Sequence, residues 1–465
     1  MARRRNTGKY AGLYGGDARG LYSSSAHRSM MIYGKAPRRW PKVLLVIVIF
    51  LIVAACVWQF ACGGLPFINA TQEEEAQDQT LSGSAQTTST EATDEDSGTL
   101  SEEEYENGTY QEGLDTTITL SALGDCTLGT DDLFSSLTNF TAVYDANSTS
   151  YFFANVLPVT SADDLTVANL EGPLTESEEE AEGKTYNFHG SPEYTKILTK
   201  GSVEAVNLAN NHSYDYGEDG YEDTKENLED AGISNFGYDR VATTTVNGIT
   251  VGLFGINQLS QSDPEAVMLE DIEQLKEAGC ALIVGVFHWG VELDYEPSDE
   301  QVQLAHAAID AGCDVVLGTH PHVLQGIELY NDRYICYSLG NFCFGGNDDP
   351  SDYDTMIFQQ TFTFEDGWLV MDDAALSDVS VVPCSVSSSE SINNYQPTPL
   401  TGDAATSVLE KLNSGSEALS GTSVLFTAEV EDDGYAYLDD DAMGSASSED
   451  SEDSEESEES ASSGE

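Results

Sequence analysis

Four of the seven histidines in this chain, His212, His288, His320 and His322, stand directly behind short apolar runs, and so do two carboxylates and two amides. Asp125 follows SALG and Glu171 follows LTVANL. Asn210, Asn211 and His212 follow VEAVNLA, His288 follows ALIVGVF, and His320 and His322 follow DVVLGT. Imidazole nitrogen with carboxylate and amide oxygen suits borderline divalent cations such as zinc, manganese or iron, and one carboxylate can bridge two of them. Two ions about 3.5–4 Å apart polarise a phosphoryl or carbonyl oxygen and bring the pKa of an attacking water toward neutrality. The expected chemistry is metal-assisted hydrolysis or group transfer.

Each group has a plainer reading when taken singly. Asp125 and Glu171 fit helix caps or loop-amide acceptors, the Asn pair fits a turn held by side-chain to backbone bonds, and a lone strand-end His such as His288 fits a structural role. The GTHPH pattern, with two imidazoles two residues apart after a buried strand, points more firmly to ligands. Glu292 and Asn210 are candidate substrate contacts, and for His189 in NFHG a structural role and a substrate contact fit equally. His306 lies on an amphipathic helix and reads as a packing residue. Ser213 and Ser338 lack a nucleophile arrangement, which leaves a serine hydrolase a minor alternative.

The elements that must carry these groups are strands alternating with helices. TTITLSALG, LTVANL, VEAVNL, ITVGLFGI, ALIVGVF and DVVLG read as strands, with helices near 217–231, 262–279 and 298–311. That alternation predicts an α/β fold whose strand carboxyl ends hold the site. YICYSLGNFCFG, TMIFQQTFTFEDGWLVMDDA and LSDVSVVPCSV read as further strands forming a mostly antiparallel sheet, followed by a helix near 402–413. The chain has neither GxGxxG nor GxxxxGK[ST], which weakens dinucleotide and P-loop readings.

Charge divides the 465 residues into blocks. The net charge is -64, yet residues 1–42 carry +9 and the rest -73, so nucleic-acid binding, which needs a basic surface, is excluded. Val43–Cys62 holds twenty residues without a charge, enough to span a hydrocarbon layer of roughly 30 Å. Its basic N-terminal flank places residues 1–42 in the cytoplasm and everything after 62 outside, a single-pass protein of the cell membrane. A cleaved leader and a lipidated Cys56 in VAAC are the competing readings; the 42-residue leader and the continuing Val57 and Trp58 favour an uncleaved anchor. Residues 63–114 read as an acidic disordered stalk, 115–430 as the folded domain, and 431–465 as an acidic Ser/Glu/Asp-rich tail. Cys126, Cys280, Cys313, Cys336, Cys343 and Cys384 would then lie in an oxidising exterior, with no CxxC pair among them and their pairing open.

GDCTLG (124–129), ANLEGPLT (168–175), NLANNHSYDYGEDGYEDT (207–224), the segment 287–326 that ends in GTHPHVLQG, and YSLGNFCF (337–344) together resemble the capsule synthesis proteins of the CapA type, linked to poly-gamma-glutamate production. The resemblance runs in order over roughly residues 117–418. That family is similar to the calcineurin-like metallophosphoesterases, which implies a two-sheet α/β sandwich with a site for one or two Mn, Zn or Fe ions. Carried over by motif, Asp125 would bind the first metal and Glu171 would bridge. Asn211, His288 and His320 would bind the second, His322 would return to the first, and His212 would be the acid beside the substrate. The phosphoesterase pattern begins Asp-x-His, whereas here Asp125, Cys126 and Thr127 stand in order, so the first metal site is one imidazole short.

Two functions follow as expectations. One is a membrane-anchored extracellular hydrolase or transferase acting in assembly, release or anchoring of an anionic polymer. The other is a non-catalytic polymer-binding or export factor of a membrane synthase complex. In both, the partners are polyglutamate or polysaccharide and the synthase or export complex. An exterior of -73 repels such polymers over a Debye length of about 8 Å, so contact requires basic residues or bridging cations.

Overall fold

Leu282–His288 (LIVGVFH) is buried at every position, and its residues alternate between two different cores. Leu282, Val284 and Val286 face one, while Ile283 and Phe287 face another. A strand apolar on both sides must be covered on both sides, and this requirement sets the architecture. The computed structural model describes residues 111, 113–238, 240–371 and 378–439. Residues 1–110, and with them the arm, the segment 43–62 read from the sequence as a membrane anchor and nearly all of the expected stalk, lie outside the described residues, as does the tail beyond 439. Among the described residues no helix is long and apolar enough to cross a membrane.

Among the described residues sixteen strands build two mixed sheets. In chain order they are β1 (Thr116–Cys126), β2 (Leu165–Leu170), β3 (Ala205–Asn207), β4 (Ser234–Phe236), β5 (Ala242–Val246), β6 (Ile249–Asn257), β7 (Leu282–His288) and β8 (Val315–Thr319). Then come β9 (Ile327–Tyr330), β10 (Arg333–Cys336), β11 (Asp354–Glu365), β12 (Trp368–Leu369), β13 (Val379–Ser385), β14 (Thr398–Pro399), β15 (Thr422–Ser423) and β16 (Ala436–Tyr437). The first sheet runs β14-β13-β11-β1-β2-β3-β4, with β12 on β11 and β16 on β13; the second runs β15-β9-β10-β8-β7-β6-β5. Ile118, Leu120 and Val167 of one sheet and Val251, Val284 and Val315 of the other share the central core. Helices Phe140–Ala146, Thr195–Lys200 and Gly217–Asp230 cover the outer face of the first sheet. Pro264–Glu277 and Asp299–Asp310 cover that of the second, the latter opened by a capping box between Ser298 and Gln301.

The expected α/β architecture is present, with two differences. The parallel strands do not share one sheet: β1 to β4 lie in the first, whereas β6, β7, β8 and β10 lie in the second. The later strands form no sheet of their own either, since β11 pairs antiparallel with β1 in the first sheet and β10 parallel with β8 in the second. YICYSLGNFCFG is a strand only to Cys336. Beyond it the chain leaves the second sheet, turns at Gly340 (φ +71°), and bonds to the end of β1 through Phe342 N–H to Asp125 O (2.8 Å) and Gly345 N–H to Thr127 O (2.8 Å). β16 pairs with β13, which carries the folded region past residue 430.

Candidate metal centre

The crossover Tyr337–Gly345 ties the carboxyl ends of the two sheets together, and the strand-end groups converge there. Asp125 is the penultimate residue of β1, Glu171 follows β2, His288 closes β7 and His320 follows β8. Asp125, Glu171 and His288 are fully buried and His320 is 5% exposed. Asp125 Oδ2 lies 3.3 Å from His322 Nδ1, and Asp125 Oδ1 lies 3.9 Å from His288 Nδ1. Glu171 Oε1 lies 3.8 Å from His288 Nε2 and 3.9 Å from His322 Nε2. Asn211 Oδ1 meets His288 Nε2 at 2.8 Å, and the His320 ring centroid lies 4.7 Å from that of His288. All six residues read from the sequence as ligands are thus brought together.

This donor set fits a divalent cation. Glu171, His320 and His322 each offer a ligand atom within 4.8 Å of the others. Glu171 Oε1 and His320 Nδ1 are buried with no hydrogen-bond partner, an unfavourable state for polar atoms that an ion would relieve. His320 (φ +94°) and His322 (φ +58°) both occupy the left-handed backbone region, which non-glycine residues enter at a cost and chiefly where function demands it.

Burial and mutual charge set the protonation of the metal-free cluster. Burial, then the neighbouring Asp125 carboxylate, pushes the Glu171 carboxyl up to about 7. Burial alone would lower His322, but Glu171 and a hydrogen bond to Asp125 outweigh it and raise the imidazole to about 10. Burial holds His320 down at about 3 and His288 well below its usual value. Ligands must shed protons to bind a cation, so protons on Glu171 and His322 compete with it. Mn²⁺ affinity is expected to fall as pH drops from about 8 to about 6, with proton release on binding measured by calorimetry in buffers of different ionisation enthalpy. His320 makes the stability of the fold depend on pH in the same direction. Its folded value near 3 lies below the ordinary 6.5, so its contribution is present above 6.5 and is lost as pH falls toward 3.

His212 adjoins the cluster and donates from Nδ1 to Asp215 Oδ2 (2.7 Å), which leaves Nε2 free for a ligand. Phe188 backs its ring at 4.5 Å between centroids. Glu292 is exposed, near enough to contribute to the raised His322 value. Asn210 is not placed to touch a substrate. It is fully buried, its amide donates to Leu170 O (2.8 Å) and Asn169 Oδ1 (3.2 Å), and its carbonyl accepts from His212 N–H and Ser213 Oγ. His189 packs on Tyr216, 4.4 Å between ring centroids, with its backbone paired to Thr130. Ser213 and Ser338 donate to the carbonyls of Leu208 and Val323, so neither is poised as a nucleophile. The six described cysteines are all free and buried.

Sequence reasoning missed the residues that hold the ligands. Asn169 is a buried hub whose amide donates to Asp125 Oδ1 (2.7 Å) and faces His288 Nδ1 (3.3 Å), while its carbonyl accepts from Asn207 and Asn210. Thr319 Oγ1 lies 3.0 Å from His288 Nδ1, and Asn341 Oδ1 accepts from His322 Nδ1 at 2.9 Å. A signal was present, because Asn169 lies on a strand two residues before Glu171, the spacing that puts two residues on one face, and Asn207 ends an apolar run.

The fold and the cluster together define a two-sheet α/β protein with a candidate divalent-metal centre at its strand carboxyl ends. Residues 119–346 match the family described as bacterial capsule synthesis protein PGA_cap, and over that span the chain belongs to this CapA-type family. It is 35% identical over 215 residues to the PGA biosynthesis protein CapA of Bacillus subtilis and 31% identical over 253 residues to the capsule biosynthesis protein CapA of Bacillus anthracis. These matches cover 41% and 49% of this chain and 56% and 60% of those relatives. Among solved structures, a 5'-nucleotidase from Candida albicans is similar at 15% identity and a TM-score of 0.35, over 60% of this chain and 52% of that one, a likeness too distant to argue from.

Proposed function

We propose that the protein acts in capsule or poly-gamma-glutamate biosynthesis as a metal-dependent hydrolase or transferase in polymer assembly, release or anchoring. The observation that carries this reading is the convergence of buried Asp125, Glu171, His288 and His320 with the part-buried His322, with Glu171 Oε1 and His320 Nδ1 unpartnered. Asp125, Glu171, Asn211, His288, His320 and His322 would hold one or two ions of Mn, Zn or Fe. A metal bound there would polarise a phosphoryl or carbonyl oxygen and acidify an attacking water. His212, oriented by Asp215, would deliver the proton to the leaving group from Nε2. The apolar segment 43–62 would anchor the protein with this domain outside the cell, beside a membrane synthase or export complex. A bound cation would also supply the positive charge that an anionic polymer needs in so acidic an exterior.

One observation favours a second reading, a non-catalytic polymer-binding or export factor. Where the phosphoesterase pattern places an imidazole, Thr127 stands instead and donates its hydroxyl to Glu171 Oε2 (3.3 Å), leaving the first ion short of a ligand. The two readings part in cells that depend on this protein for polymer. Under the enzyme reading, Asp125→Asn abolishes polymer assembly or release while protein level and membrane fraction stay unchanged. Unaltered polymer output from that variant would select the accessory factor.

A further inference from the structure

Between β2 and the helix Thr195–Lys200 the chain crosses the His212 side of the site as a loop, residues 176–187. Glu176, Glu178, Glu179, Glu180 and Glu182 are exposed along it, and Lys184 is its one basic residue. A segment of this charge has no electrostatic reason to lie against a buried carboxylate, yet it does. Ala181 N–H donates to Asp215 O (2.8 Å), and the Lys184 ammonium reaches past the loop's own glutamates to two acceptors at the site. One is the Asp215 carboxylate, fully buried, through Oδ1; the other is the backbone carbonyl of Asn211. The second oxygen of Asp215 is already taken by His212 Nδ1 (2.7 Å) and Phe188 N–H (2.6 Å).

We infer that Lys184 is a positioning residue of the metal centre, a clamp that fixes the Asn211 ligand and the Asp215–His212 pair through one ammonium group. The inference rests on the metal-site reading above. Its physical basis is the placement of the two acceptors. Asn211 directs Oδ1 at His288 Nε2 (2.8 Å) while its backbone carbonyl is held from the other side by Lys184, so the bond to Lys184 sets the position from which the amide oxygen reaches the cation. The buried Asp215 side chain is gripped on both oxygens, by the Lys184 ammonium at Oδ1 and by Phe188 N–H and His212 Nδ1 at Oδ2, so the bond to Lys184 also sets the position from which Asp215 holds the imidazole. Removing the ammonium leaves Asp215 Oδ1 without the Lys184 bond, frees the acidic loop to swing outward, and loosens Asn211.

Mn²⁺ titration of the full chain by calorimetry tests this with Lys184→Met, Lys184→Arg and Asp215→Asn. Lys184→Met is expected to weaken Mn²⁺ binding about tenfold, at the lower end of the effect of outer-shell partners. Lys184→Arg should restore most of the loss, because the guanidinium can serve the same two acceptors. Asp215→Asn removes the other half of the clamp, and the double variant should be no weaker than either single one. Wild-type affinity in Lys184→Met would overturn the clamp. If that variant does not fold, wild-type affinity in Asp215→Asn overturns it instead. A wild-type chain that takes up no Mn²⁺ contradicts the metal-site reading itself, a result distinct from either.

Discussion

Replacing His320 by glycine is expected to weaken divalent-metal binding by more than about 100-fold, beyond the range that outer-shell changes produce, and to leave the metal-free fold intact. The imidazole is 5% exposed, its Nδ1 has no partner in the protein, and it offers a ligand atom within 4.8 Å of those of Glu171 and His322. Its loss therefore removes a ligand without breaking a side-chain hydrogen bond from that nitrogen. Glycine is the informative replacement because φ is +94° here. Alanine would keep the backbone strain of roughly 1–2 kcal/mol that histidine already bears at this φ, whereas glycine relieves it and so offsets part of the packing lost with the imidazole. Mn²⁺ titration alongside urea unfolding of the metal-free protein separates the two. Wild-type Mn²⁺ affinity in the glycine variant would remove His320 from the centre.

Gly124→Ala should destabilise the fold strongly. A Cβ at Gly124 would stand 2.0 Å from Gly340 O and 2.9 Å from Gly340 C, both backbone atoms that cannot rotate away. The contact lies where the crossover from the second sheet meets the end of β1, beside the bond from Asp125 N–H to Gly340 O (2.9 Å). Relieving the clash must separate β1 from the crossover, displacing Asp125 and, on the crossover, Asn341, which fixes His322. Overpacking against backbone is expected to cost about 3 kcal/mol or more, read as a lower urea midpoint or as insoluble protein. A soluble variant with the wild-type midpoint would contradict this account of how the sheets are joined.

Much of the site was legible because each fully apolar strand ends in a polar residue that an unadorned core strand has no reason to carry. Asp125, Glu171, His288 and His320 stood out for that reason, and the structure gathers them with Asn211 and His322. The division of the parallel strands between two sheets was not legible. β1 to β4 and β6 to β8 have the same apolar character, and which edge a strand joins depends on crossovers fixed only when both faces are covered. The role of YICYSLGNFCFG was hidden likewise, since its apolar residues suit a strand while Gly340 bends it from one sheet to the other. Asn169, Asp215 and Lys184 are polar residues in loops or at strand ends, common places for them, and only their convergence on Asp125, His212 and Asn211 gives them meaning.

The most direct test is the metal content of the purified wild-type chain by elemental analysis, after incubation with Mn²⁺ or Zn²⁺ and removal of free ion. The account predicts one or two ions retained per chain at neutral pH, released on acidification as Glu171 and His322 regain protons. A well-folded chain that retains none under either ion would contradict the metal centre, and with it the hydrolase or transferase reading.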